Sequence, residues 1–143
     1  VETPNSWAGL AKGWAGGKPG PISQKILDAA EGSTGRLCVW GYNPTYYTET
    51  GLVQATRLST SGAIFNDNAL RPFFLETYME DLRRHRPVVF VDAVAPEQFV
   101  MMTKREEHGH EVVPEVRDFV VENYELFEEI DGVRIYRLRR TKN

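Results

Sequence analysis

Arg36-Leu37-Cys38-Val39-Trp40-Gly41-Tyr42-Asn43-Pro44-Thr45-Tyr46-Tyr47 decides the fold class. Apolar residues on consecutive positions do not make a half-exposed strand, which alternates. They suit a strand covered on both faces, as in a parallel sheet between helices. Gly41 and Asn43-Pro44 then stop the strand and turn the chain. The carboxyl edge of such a sheet is where α/β proteins place ligands, and here aromatic residues crowd that exit.

Working outward, Val88-Val89-Phe90-Val91-Asp92 is a second run of this kind, and a helix over 71–85 connects the two. Pro72 fits its first turn, Phe74, Leu75, Tyr78, Met79 and Leu82 form its apolar stripe, and Arg83 to Arg86 complement the carbonyl end before Pro87 closes it. Strand, helix, strand implies a parallel crossover. Upstream, the spacing of Ile22, Ile26, Leu27 and Ala30 predicts a helix over 22–31 that Gly32 ends. A short helix over 44–51 follows the first strand, then a long loop over 52–70. Downstream come a helical turn over 96–102, a charged loop over 104–111 and a helix over 114–123. A hairpin closes the chain, 124–130 and 133–139 about Asp131-Gly132, a pair suited to the positive φ such turns require. The expected architecture is α/β, a small three-layer sandwich with parallel central strands and a C-terminal antiparallel hairpin. Residues 21–143 form its single domain, and the Gly- and Pro-rich residues 1–20 are irregular.

The 143 residues, 41% hydrophobic and 26% charged, fit one soluble-type domain, and a net charge of -3 gives no general drive toward nucleic acid. No window reaches the roughly 18 apolar residues of a membrane span. The chain opens on Val1, which reads as a processed product or an excised piece. Cys38, the single cysteine, excludes an intrachain disulfide and a cysteine-based zinc site. There is no Gly-X-Gly-X-X-Gly, no P-loop lysine and no Gly-X-Ser-X-Gly elbow, so the α/β layout carries no nucleotide or hydrolase assignment.

The order of these segments resembles a known family. The carriers are Trp40-Gly41-Tyr42-Asn43-Pro44, Tyr46-Tyr47, the 51–57 segment, Arg86-Pro87-Val88-Val89-Phe90-Val91-Asp92, then Phe119-Val120 before Tyr124, and Ile135-Tyr136-Arg137-Leu138. Across about 21–139 the chain looks like the soluble C-terminal region of bacterial polytopic membrane glycosyltransferases. These are related to lipid-phosphate-sugar-dependent protein mannosyltransferases and aminoarabinose transferases. The resemblance implies a non-catalytic accessory domain on the extracytoplasmic, periplasmic face of the inner membrane. It implies packing on transmembrane helices of its own parent chain and contact with a lipid-linked sugar or an acceptor. The family's catalytic carboxylates lie in an early loop that matches nothing here, so no catalytic residue, cofactor or metal is assigned.

Tyr42, Asn43, Tyr46, Tyr47, Arg57 and Asp92 are the candidate ligand residues. Aromatic faces stack on sugar rings, and Asn, Asp and Arg bond hydroxyls or phosphates. The alternative is structural, with tyrosines packing the sheet edge and Asn43 and Asp92 capping turns. Trp7 and Trp14, interleaved with Lys12 and Lys18, either sit at a membrane surface or pin a loop. Glu106-Glu107-His108-Gly109-His110-Glu111 offers metal-ligand types, yet reads as a solvated charged loop. A free-standing saccharide- or phosphate-binding module is the competing functional expectation.

Overall fold

The structure, a computed structural model, describes residues 18–98 and 101–141. The expectations for Trp7, Lys12 and Trp14 lie outside the described residues. The elements in order are α1 (Pro21–Ala30), β1 (Leu37–Trp40), α2 (Thr45–Thr50), α3 (Gly62–Phe65), α4 (Arg71–His85), β2 (Val89–Asp92), α5 (Arg105–His108), a 3-10 turn (His110–Val112), α6 (Pro114–Asn123), β3 (Tyr124–Ile130) and β4 (Val133–Leu138).

The strands form one sheet in the order β1-β2-β4-β3. β1 and β2 pair in parallel, Leu37 against Val89 and Trp40 against Asp92. β4 is antiparallel to β2, with Val91 opposite Ile135, and β3 completes the hairpin. All four residues of β1 and of β2 are buried, as consecutive apolar residues require. Alternation divides them between two cores. Leu37, Val39, Val89, Val91, Val133 and Ile135 pack with Ile26, Ala29 and Ala30 of α1 and Tyr46 of α2. Cys38, Trp40 and Phe90 pack with Tyr78, Met79 and Leu82 of α4 and Val116, Phe119 and Val120 of α6. Helices on both faces give the three-layer sandwich.

Proline opens α1, α4 and α6, where its missing N–H costs no helical bond. The hairpin turn has φ of 51° at Asp131 and 81° at Gly132, as a two-residue turn matched to strand twist demands. α1 ends one residue earlier than Gly32 predicts, because Glu31 itself takes the left-handed cap with φ 51°.

Two loop expectations are corrected. Within 52–70, Gly62–Phe65 is helical, and Phe65 meets the Trp40 ring edge-on at 5.7 Å. Gln54 adds an isolated bridge beside Leu37. The 104–111 segment is not a solvated loop. It contains α5, Trp40 Nε1 donates to His108 O at 2.8 Å, and His110 is buried. Trp40 is thus the post on which the cap over the carboxyl edge is hung.

Cys38 lies under this core with Sγ 2.9 Å from the Tyr78 hydroxyl. Burial pushes its thiol up to about 12, against the lowering effect of hydrogen bonds from Tyr78 and Thr56.

Candidate functional site

The Gly41-to-Pro44 turn is the local device that builds the carboxyl edge. Asn43 Oδ1 accepts the Thr45 N–H at 3.3 Å, which starts α2. Its Nδ2 donates to Gln98 Oε1 at 2.8 Å, and the Tyr46 hydroxyl donates to the same oxygen at 2.7 Å. Gln98 follows β2 by six residues, so one amide ties together the exits of both parallel strands. On the other side of Tyr46, Glu49 Oε2 accepts from Ser23 Oγ at 2.5 Å and from the Gly20 N–H at 3.2 Å. Between these groups lies a cavity of about 370 Å³, lined among others by Ser23, Asn43, Tyr46, Glu49, Glu97 and Gln98. Burial first, and then the charge of Glu49, push the Tyr46 phenol up to about 12, so it stays a neutral donor.

Among the described residues the lining contains two carboxylates, amides, hydroxyls and one aromatic ring, and no lysine, arginine or histidine. Such a surface repels a phosphate and suits a neutral ligand rich in hydroxyl donors. The volume falls within the ~300–1,000 Å³ of small-molecule sites, near its lower end.

The other candidate residues take separate roles. The Tyr47 hydroxyl accepts the Val39 N–H at 2.8 Å and so satisfies the outer edge of β1. Arg57 pairs with Asp81 of α4, its Nε 3.1 Å from Oδ2, and is not among the residues lining the cavity. Tyr42 is partly exposed within the turn.

Asp92 is the centre of a second cluster at the same edge. It is fully buried at the end of β2, on the Phe90 face. Oδ1 accepts the Val94 N–H at 3.0 Å. Oδ2 accepts from Arg105 Nη1 at 2.9 Å and from the His110 N–H at 2.9 Å, and lies 2.6 Å from His110 Nδ1. Arg105 also donates to Gly132 O at 3.1 Å and so fastens the hairpin turn to α5. Glu111 pairs with Arg134 Nη1 at 2.8 Å and with Arg105 at 3.4 Å. The His110 ring is held edge-on between Phe90 and Tyr136, at 5.5 and 5.3 Å. Gly109 permits the close turn, since a Cβ there would stand 2.7 Å from Arg105 O. Burial alone would raise the Asp92 carboxyl, but hydrogen bonds and charge from His110 and Arg105 outweigh it and hold it below the usual carboxylate range.

Donor atoms of Asp92, His110 and Glu111 lie within 4.8 Å of one another, the spacing of a metal cradle. Arg105 and Arg134 already supply the positive charge these carboxylates need, and Asp92 Oδ2 has three donors. The arrangement is therefore an ion-pair hub that fixes the cap. The sequence reading misses Arg105, His110 and Glu111 as partners of Asp92. The one local signal is Gly109 between two histidines, a position where backbone must approach backbone.

Protein-family models, curated proteins and solved structures offer no match to this chain. No helix among the described residues is long and apolar enough to cross a membrane.

Proposed function

We propose that the chain is a non-catalytic accessory domain of a membrane-embedded glycosyltransferase, on the extracytoplasmic face, and that it holds sugar hydroxyls in the Asn43–Tyr46–Gln98 cavity. The observation that carries the reading is local. The Trp40-Gly41-Tyr42-Asn43-Pro44 turn, which also carries the family resemblance, delivers Asn43 and Tyr46 into a cavity whose lining suits a neutral polyol. The cavity borders Gly20, where residues 1–20 with their tryptophans join the domain. A domain carried beside a lipid-linked sugar gains from a sugar-holding surface near its point of attachment, because tethering raises the effective concentration of a weak contact.

Two measurements test this. Source cells are fractionated and blotted with an antibody against the domain. A band far above 16.3 kDa that stays in membranes through alkaline extraction supports the reading, and a soluble band of about the domain's own mass sinks the membrane half of it. Separately, mono- and disaccharides are titrated into the chain while amide shifts are followed by NMR. Saturable shifts around 43–49 and 97–98 that Asn43→Ala abolishes, in a variant whose remaining amide spectrum shows the fold intact, support the sugar half. Sugar binding by a soluble 16.3 kDa protein would instead establish the free-standing binding module.

A further inference from the structure

A second cavity, of about 860 Å³, opens at the opposite end of the sheet, between the end of α1 and the end of β4. Val88 and Leu138 contribute apolar lining, and Arg137, Arg139 and Arg140, with the carboxylates of Glu31 and Glu125, contribute charge. The topology gathers positive charge at this end. Arg36 precedes β1, Arg83, Arg84 and Arg86 lie at the end of α4 before β2, and Arg137, Arg139 and Arg140 sit at the end of β4. Because β4 runs antiparallel to β2, its end lies beside the start of β2. Seven of the twelve arginines therefore belong to one end of the molecule.

The arginines at the cavity are held in place. Arg139 Nε donates to Tyr124 O at 2.8 Å, and its terminal nitrogens have no partner among the described residues. Arg137 lies over the Phe127 ring, 5.4 Å from its centre, with Nε on Glu125 at 2.7 Å. The Glu31 carboxylate, on the left-handed cap of α1, is shared by Arg137 at 3.4 Å and by Arg140. A carboxylate bridging two guanidiniums, beside a third with open donors, occupies the position an external oxyanion would take.

We propose that this cavity is a binding site for a phosphate-type oxyanion carrying an apolar group, and that the Glu31 carboxylate is the internal occupant the ligand displaces. The arginines bind the oxyanion, and Val88 and Leu138 receive the apolar part. The site is separate from the sugar-holding cavity and opposite to it in charge. A lipid headgroup and a soluble phosphate ester share this chemistry.

In the test, inorganic phosphate and pyrophosphate are titrated into the whole 143-residue chain at low salt, with amide shifts followed by NMR. In parallel the chain is co-sedimented with phosphatidylglycerol or phosphatidylcholine vesicles. Saturable shifts at 29–31, 88 and 137–141 are expected with a soluble phosphate source. Sedimentation with phosphatidylglycerol alone is expected with a headgroup source. In either arm Arg139→Ala weakens binding by about tenfold, the worth of one charge-assisted contact. Arg139→Lys falls between, and Glu31→Gln tightens binding several-fold. Binding in neither arm, binding indifferent to both Arg139 variants, or weaker binding by Glu31→Gln overturns the proposal. None of these outcomes bears on the Asn43 cavity, whose saccharide titration is read at other residues.

Discussion

Asp92 and Glu31 are both carboxylates held by arginine, and they stand at opposite ends of the sheet with opposite consequences. Asp92 is fully buried, each oxygen bonded, and its partners reach it from 2, 13 and 18 residues downstream. Glu31 is exposed, and its arginines come from the other end of the chain. The same functional groups therefore do different work. In low dielectric, removing one partner strands a charge, so the Asp92 cluster dictates where the 105–112 segment sits. In water, an exposed pair gains little and exchanges readily, so the Glu31 cluster remains available to an external anion. The carboxyl edge is organised by its charges, and the basic end stays open.

Four measurements can break or sharpen this contrast. The largest effect is expected from Asp92→Ala, which takes the shared acceptor from the buried His110 and the half-buried Arg105. Denaturant unfolding should show a loss of about 3–5 kcal/mol, and a loss below 1 kcal/mol would place Asp92 among the exchangeable pairs. Acid comes next. Because the folded Asp92 carboxyl is held below its ordinary value, its contribution is complete above the unfolded value of about 3.9. It fades as pH falls through the lower folded value. Wild-type stability should therefore drop below about pH 4, and Asp92→Asn, lacking the ionisation, should flatten that slope.

A smaller effect tests the hairpin's attachment to Arg105. Gly132 has φ 81°, and a Cβ there would stand 3.1 Å from Ala95 Cβ. Gly132→Ala should cost about 1–2 kcal/mol in thermal unfolding, and amide exchange should quicken first around 131–133. The smallest effect belongs to the open end. Glu31→Gln should alter stability by less than about 0.5 kcal/mol, and a multi-kcal loss there would erase the difference between the two ends.

Much of the framework is legible before any coordinates. Pro21, Pro72 and Pro114 announce three helices, two unbroken apolar runs announce covered strands, and Asp131-Gly132 announces the hairpin. These are local signals, each resolved within a few residues. The carboxyl edge is only half legible. Asn43 and Tyr46 do converge on one cavity, but through Gln98, whose partnership arises only when the sheet brings the two strand exits together. Arg57 faces Asp81 of α4, and the Tyr47 hydroxyl serves the backbone of β1. Neither role follows from residue type. The 104–111 segment misleads most, since alternating charges usually mean solvent. Here they cancel one another over a buried Asp92, a balance that no local window contains.

Cys38 turns the interior of this molecule into a clock. With its thiol fully enclosed and burial holding it in the unreactive protonated form, a thiol-specific dye has no target in the native protein at neutral pH. Each labelling event must follow an opening of the layer between β1 and α4. Because this is the only sulfhydryl in the chain, the appearance of a single adduct, timed by mass spectrometry, reads the frequency of that opening without any engineered probe.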